Sequence, residues 1–338
     1  MSEITLKDVA LAAGVHPSTV SRALDRAQAW QVNVRTRQRV IDTARDLGYQ
    51  PDVLASSLRR GRTDTMGLIV ADLGNPYIAP VVRGIENALE GRGLVAMIAE
   101  TQDDLARTQR VFDHLMRRRV DAIITTATRA GDRTILDRVS QRVPVVLAVR
   151  PLDTAGLATI TNDDLRGGQL AAQHLADLGH RRVAQLVGPL DVQTFGERAD
   201  GFVTTATVEG VTVLPFEATA TTPTMAEGQR LMRALLQRHP DRPTAVFAHN
   251  DLMALGALAV LREEHLSCPA DISLIGYNDT PGAAFIDPPL TTIRLPGYEL
   301  GRIAADVAVA MIERSDDSPP RLSLPPSLVV RGSTAPPT

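Results

Sequence analysis

TLKDVALAAGVHPSTVSRAL, residues 5–24, divides into two short helical stretches around a glycine. Leu6, Val9 and Ala10 form one apolar stripe at i, i+3, i+4 spacing, and Val20, Ala23 and Leu24 form another. Between them, in Ala13-Gly14-Val15, Gly14 can take the backbone conformation that a tight helix–helix turn needs. The second stretch opens with Pro17, suited to the first position of a helix, and presents Ser18, Thr19, Ser21 and Arg22. Small polar groups at the start of a short helix reach phosphates and base edges, and a guanidinium one turn later can fork onto a guanine. The pattern predicts a helix-turn-helix and makes DNA the partner. An ordinary helical hairpin at the head of an enzyme is the competing reading, and charge weighs against it. Residues 1–62 hold ten Lys and Arg against six Asp and Glu, whereas the remainder holds 26 against 33. A basic head on an acidic body is the asymmetry expected when only the head meets phosphate.

A third helix follows. Asn33 can cap it, Thr36, Val40, Ile41, Ala44 and Leu47 supply its buried stripe, and Gly48 ends it. Thr5, Asn33, Thr36 and Arg37 join Pro17, Ser18, Thr19, Ser21 and Arg22 as the head's candidate DNA-binding residues. After Tyr49-Gln50-Pro51-Asp52 comes VLASSLRRGRT, about ten residues that cannot hold a helix unaided in water. Alone it reads as a marginal helix or a flexible linker.

TLKDVALAAGV-PSTVSRAL followed by RVIDTARDLGYQPDVLASSLRRGRT resembles the start of a lactose/galactose-repressor family regulator. In that family the short segment is a hinge helix that orders on the operator, and a leucine from each subunit wedges into the minor groove. The resemblance puts Leu58 on that position, with Ala55, Ser57 and Arg59 beside it. Three departures stand out. Asp52 and Ser56 replace the usual Asn and Arg. His16-Pro17-Ser18 replaces a serine cap followed by two base-reading side chains. The link into the third helix is about two residues longer and carries Trp30, the sole tryptophan, which reads as a packing residue at the edge of the head.

The rest of the chain must bury its own core. At 338 residues and 44% hydrophobic it can, and with 3% aromatics that core is aliphatic. No run of eighteen apolar residues and no N-terminal apolar signal occur, so neither a membrane span nor secretion is expected, and a cytoplasmic location is. Cys268 is the single cysteine and the histidines lack ligand spacing, so no disulfide, metal or cofactor is expected. Neither GxGxxG, a Walker sequence nor GxSxG is present, which argues against an enzyme.

From Met66 onward MGLIVA, LVAMIA, DAIITTA, PVVLAV, VAQLV, TAVFA and ISLIG alternate with helical stretches near 79–92, 104–118, 167–178, 225–238 and 251–264. Short, continuously apolar runs read as parallel strands covered on both faces. The expected fold is an all-α head plus an α/β body of two doubly wound parallel-sheet lobes. The head spans 1–50, the hinge and linker 51–62, and the body 63–338. Lobe 1 takes about 63–162 plus 291–324, and lobe 2 about 163–290 plus 325–338, with crossings near 161–164, 289–292 and 325–326.

Ligands in such sheets sit beyond the carboxyl ends of strands. Tyr77, Arg150, Thr194, Arg198, Asn250 and Asn278 all fall there, and amides, guanidiniums and an aromatic face together suit a polyhydroxylated ligand. Each has a plainer alternative: Asn250 or Asp251 could cap its helix, and Arg198 could pair with Glu197 or Asp200 at the surface. The family resemblance extends over the body through VVRGIE, LGHRRVAQLVGPL, RPTAVFAHNDLMALGAL, DISLIGYND and LPPSLVVRGSTA. It implies a body like that of sugar-binding periplasmic proteins, a homodimer with a tetramer left open, and an effector facing Tyr77, Ile78, Thr194, Arg198, Asn250 and Asn278. Asn278 stands where the family commonly has Asp, and Thr221-Thr222-Pro223 where it often has an aromatic. The expectation is a repressor of a pseudo-palindromic operator, controlled by a sugar or sugar derivative, with a nucleoside or purine as the alternative effector.

Overall fold

The computed structural model describes residues 4–25, 28–49, 61–152, 156–215, 217–313 and 319–338. The hinge candidates Ala55, Ser57, Leu58 and Arg59 lie outside the described residues. The chain forms two compact units, residues 1–63 and 64–338.

The first unit contains α1 (Leu6–Ala13), α2 (Pro17–Leu24), a single 3-10 turn (Ala29–Gln31) and α3 (Val34–Asp46). Val9, Ala10, Ala13, Val20, Ala23, Val40 and Ala44 close its core, as the apolar spacing requires. Gly14 ends α1 in the left-handed region at φ 63°, and its N–H turns back to Ala10 and Leu11. Two sequence expectations fail here. Leu47 is exposed and Tyr49 packs on the core in its place, because Gly48 at φ 68° turns the chain back onto α3. Trp30 is not a packing residue but stands in solvent.

The second unit is built on two six-stranded sheets. One has the order β11 (Arg321–Leu324), β5 (Ala158–Asn162), β4 (Val145–Ala148), β3 (Ala122–Thr125), β1 (Thr65–Val70), β2 (Val95–Glu100). The other runs β12 (Ser327–Val329), β10 (Thr291–Arg294), β9 (Ser273–Asn278), β8 (Ala245–Ala248), β6 (Arg182–Leu186), β7 (Thr212–Val213). All named pairings are parallel except β10 with β12. Helices α4 (Ile78–Glu90), α5 (Leu105–Arg117), α6 (Arg133–Ser140) and α11 (Gly297–Glu313) serve the first lobe. Helices α7 (Asp164–Asp177), α8 (Gln193–Val208), α9 (Met225–Arg238) and α10 (Asp251–Glu263) serve the second. None of the described helices is long and apolar enough to cross a membrane.

The strand order reverses between β1 and β3 in one lobe and between β6 and β8 in the other, which is where doubly wound sheets open a crevice. Crossings between lobes follow β5, β10 and β11. The second lies later than the sequence suggested, so the boundary at 291 moves to about 295. Residues 291–294 pair in register with Ile275–Asn278, and the buried Thr291, Thr292 and Ile293 tie them to lobe 2. The LVAMIA run is also not covered on both faces: β2 is an edge strand, with Val95 and Ile98 exposed. Helices α4 and α11 approach so closely that a Cβ on Gly84 would stand 2.1 Å from the Tyr298 carbonyl oxygen, and one on Gly301 2.0 Å from that of Val81. Only glycine permits that approach.

Candidate effector site and nucleic-acid interface

In the head, His16 rather than Ser or Thr caps α2. Its Nδ1 accepts from the Ser18 N–H at 3.2 Å and lies 2.9 Å from Ser18 Oγ, and Arg22 Nη2 donates to the same hydroxyl at 3.5 Å. Pro17 takes the first helical position, where a missing N–H is harmless. Ser18 is exposed, and Pro17, Thr19, Ser21 and Arg22 are half-buried. The Thr5 hydroxyl, just before α1, donates to Asp8 at 2.7 Å. Asn33 caps α3 through its Oδ1, which accepts from Arg35 N–H at 3.0 Å, and Arg37 is exposed in the first turn beside half-buried Thr36.

In the body, the interlobe crevice holds a cavity of about 180 Å³. Tyr77, Ile78, Arg150, Thr194, Arg198, Asn250 and Asn278 all line it, so the seven effector candidates are brought together. Tyr77 and Ile78 come from the loop after β1 and the start of α4. The Asn162 amide donates to Tyr77 Oη at 2.9 Å, and burial pushes the phenol up, keeping it neutral.

Arg198 forms the floor. Its Nε donates to Asp164 Oδ1 at 2.7 Å and its Nη1 to the His249 carbonyl at 2.6 Å. The guanidinium lies 3.9 Å from the Tyr277 ring centroid and 4.8 Å from that of Phe195. It therefore pairs with a buried carboxylate, not with Glu197 or Asp200 at the surface. Burial pushes the Asp164 carboxyl up, while Arg198 and the Tyr277 hydroxyl, donating at 2.9 Å, pull it down. The guanidinium itself stays charged. His249 behind it is held neutral, because burial and Arg198 both pull its imidazole well below its ordinary range. With Gln185 Oε1 3.1 Å from its Nε2 and the Gly188 N–H donating to its Nδ1 at 3.4 Å, the proton belongs on Nε2.

Arg150 grips Asp103 through both terminal nitrogens, at 2.5 and 3.2 Å. Burial works to raise Asp103, but Arg150 and Arg129, the latter 3.3 Å away, hold it below the usual range. Arg129 also reaches Asp191 of the other lobe at 2.9 Å, and Ala130 N–H donates to the Asp191 carbonyl at 3.1 Å, so the two lobes are tied together here. Asn250 does what the plainer reading said: its Oδ1 caps α10 by accepting from Met253 N–H, and its Nδ2 donates to the Pro223 carbonyl, both at 2.7 Å. It still lines the cavity and pins the 222–224 loop against it. Asp251 turns away, accepting from Thr292 Oγ1 and Thr280 N–H at 2.6 Å each. Asn278 stands at φ 113°, and its amide and the Thr194 hydroxyl have no protein partner among the described residues.

Gln102, Asp103, Thr126 and Phe195 also line the cavity and escaped the sequence reading. Gln102 and Asp103 follow β2 directly, so the strand-end rule that found Tyr77 and Arg150 would have found them too. Asp164 carries no such signal, since its role depends on a partner 34 residues away.

Residues 5–52 match the model of the bacterial regulatory proteins of the lacI family, and residues 172–334 match a periplasmic binding protein-like domain. The ribose operon repressor of Escherichia coli (strain K12) is 36% identical over 332 residues, covering 97% of this chain and 99% of that protein. The chain belongs to the lacI family. Members of this family are DNA-binding transcriptional regulators, and the solved structures agree. The lac repressor dimer bound to operator and an anti-inducer superposes with a TM-score of 0.87 at 27% identity, over 99% of this chain and 100% of that one. A lacI-family regulator from Enterococcus faecium with bound ribose has a TM-score of 0.71 at 28% identity, over 81% and 100%.

Proposed function

We propose that this lacI-family regulator is a repressor that binds a pseudo-palindromic operator as a homodimer and is released by a neutral, single-ring sugar held between its lobes. The observation that carries the effector reading is Arg198, charged and fixed on the cavity floor, beside Asn278 and Thr194; among the described residues Arg198 Nη2 and the side chains of Asn278 and Thr194 have no hydrogen-bond partner. Sugar hydroxyls both donate and accept, and an amide at 278 offers both, where a carboxylate offers only acceptance. Tyr77 and Phe195 supply ring faces for the apolar side of a pyranose or furanose. Both arginines are already balanced, Arg150 by Asp103 and Arg198 by Asp164, so the cavity carries no surplus cation for a phosphate. Its volume of about 180 Å³ lies below the roughly 300–1,000 Å³ of sites for drug-sized ligands, which favours one ring over two. The ribose bound to the Enterococcus faecium relative fits both arguments.

On the DNA side, α2 of each subunit enters a major groove, with Ser18, Thr19, Ser21 and Arg22 toward bases. Thr5, Pro17, Asn33, Thr36 and Arg37 position it on the backbone. Ala55, Ser57, Leu58 and Arg59 meet the minor groove, with Leu58 as the wedge between base steps. The homodimer follows from the operator, since two half-sites related by a two-fold axis are met by two symmetry-related heads. The sugar acts by binding one lobe arrangement more tightly than the other, since differential affinity alone shifts such an equilibrium.

The test uses the full-length protein and a duplex that it selects from random sequence. Thermal shift and DNA release are measured with pentoses, hexoses, their phosphates and nucleosides. A neutral pentose or hexose at 100 Kd should stabilise the protein by about 2.7 kcal/mol and release the duplex. A response to nucleosides or sugar phosphates alone would overturn the neutral-sugar reading.

A further inference from the structure

The sole tryptophan, Trp30, is 81% exposed in the 3-10 turn Ala29–Gln31, and Val34 at the start of α3 is 83% exposed. An indole is among the largest apolar surfaces a chain can bury, and this one is left in water. The head's core closes without it. Folding therefore gives no account of the residue.

Its surroundings do. The turn that carries Trp30 packs on α2 and leads directly to Asn33, the cap of α3, so along the chain it joins the two elements whose polar residues are assigned to DNA. From Gln28 to Ile41 the chain holds Arg35, Arg37 and Arg39 and no carboxylate. An apolar ring followed along the chain by three arginines, before the first carboxylate at Asp42, matches a polyanion with apolar patches between its charges. Duplex DNA has that alternation, with deoxyribose faces between phosphates, and the indole N–H is a donor only, as a phosphate acceptor requires.

We propose that Trp30 contacts DNA, its ring packing on deoxyribose and its N–H meeting a phosphate at the flank of the half-site read by α2. The contact rests on the head binding operator DNA and adds affinity without reading sequence.

Because no other tryptophan exists in the chain, its fluorescence reports this contact directly. In full-length protein the indole should be open to acrylamide when free and shielded at saturating selected duplex. Trp30→Ala should weaken binding to selected and random duplexes by the same factor, roughly three- to tenfold, as expected for one hydrogen bond with its apolar contact. Trp30→Phe, which keeps a ring but not the donor, should lose less. An indole equally open to acrylamide on saturating DNA would overturn the proposal while leaving DNA binding intact. So would an indole already shielded before DNA is added, since protein would then cover it. Failure to retain any duplex would remove the DNA-binding reading together with this contact.

Discussion

Replacing Arg198 tests the cleft most severely, because the residue serves the ligand and the fold at once. It is 5% exposed and its partner Asp164 only 1%, joined at 2.7 Å. Arg198→Met keeps the stem and much of the ring contact but leaves a carboxylate buried with only the Tyr277 hydroxyl. Removing one partner of a buried pair costs about 3–5 kcal/mol, which for a body of this size lowers the melting temperature by roughly 6–20 °C. The carboxylate has one escape, protonation. Burial already pushes Asp164 up, and without Arg198 its folded pKa stands further above the unfolded value. Such a group contributes stability that is present below the unfolded pKa and lost as pH rises through the folded one. Arg198→Met should therefore lose less stability at pH 5 than at pH 7. Asp164→Asn leaves the guanidinium unpaired and should also be costly, whereas the double variant should cost less than the sum of the two by at least about 2 kcal/mol. Urea unfolding of the body, followed by circular dichroism at both pH values, reads all four proteins, and sugar-dependent DNA release should vanish in each variant. Additive losses with no pH dependence would refute the buried pair, and a double variant that still responds to sugar would remove Arg198 from the site.

Gly301→Ala should destabilise the body by about 1–3 kcal/mol, since its Cβ would stand 2.0 Å from the Val81 carbonyl oxygen, whereas Gly196→Ala in α8, with nothing within 4 Å, should be neutral or stabilising in the same unfolding assay. Burial raises the Asp251 carboxyl from 3.8 to about 6, so the folded state holds that proton more tightly. The resulting stability, about 3 kcal/mol, is present below pH 4 and lost as pH rises through 6; the difference between wild type and Asp251→Asn should follow that slope, and a flat difference would contradict it. Arg22→Ala should relax base preference at one position per half-site in a binding-site selection, and an unchanged preference would place Arg22 on phosphate alone.

Much of this was legible along the chain because it is local. The stripes of Val9 and Ala10, and of Val20 and Ala23, need only helical spacing to announce a small bundle. The apolar runs announce strands, and their carboxyl ends announce Tyr77, Arg150, Thr194 and Asn278. Even the plain alternative for Asn250 was sound, since a cap needs only the next three residues.

What stayed hidden depends on partners brought from afar. LVAMIA reads like any covered strand until sheet order puts β2 at an edge. Thr291–Arg294 reads as a crossing until its register against β9 is known. Asp164 has no local mark, for its meaning is a guanidinium 34 residues on. Trp30 shows the division most plainly. The chain declared a lone tryptophan in a lengthened turn, and hydrophobicity argued for burial. A core already filled by valines and alanines left the ring no place inside, and only the closed bundle could decide that.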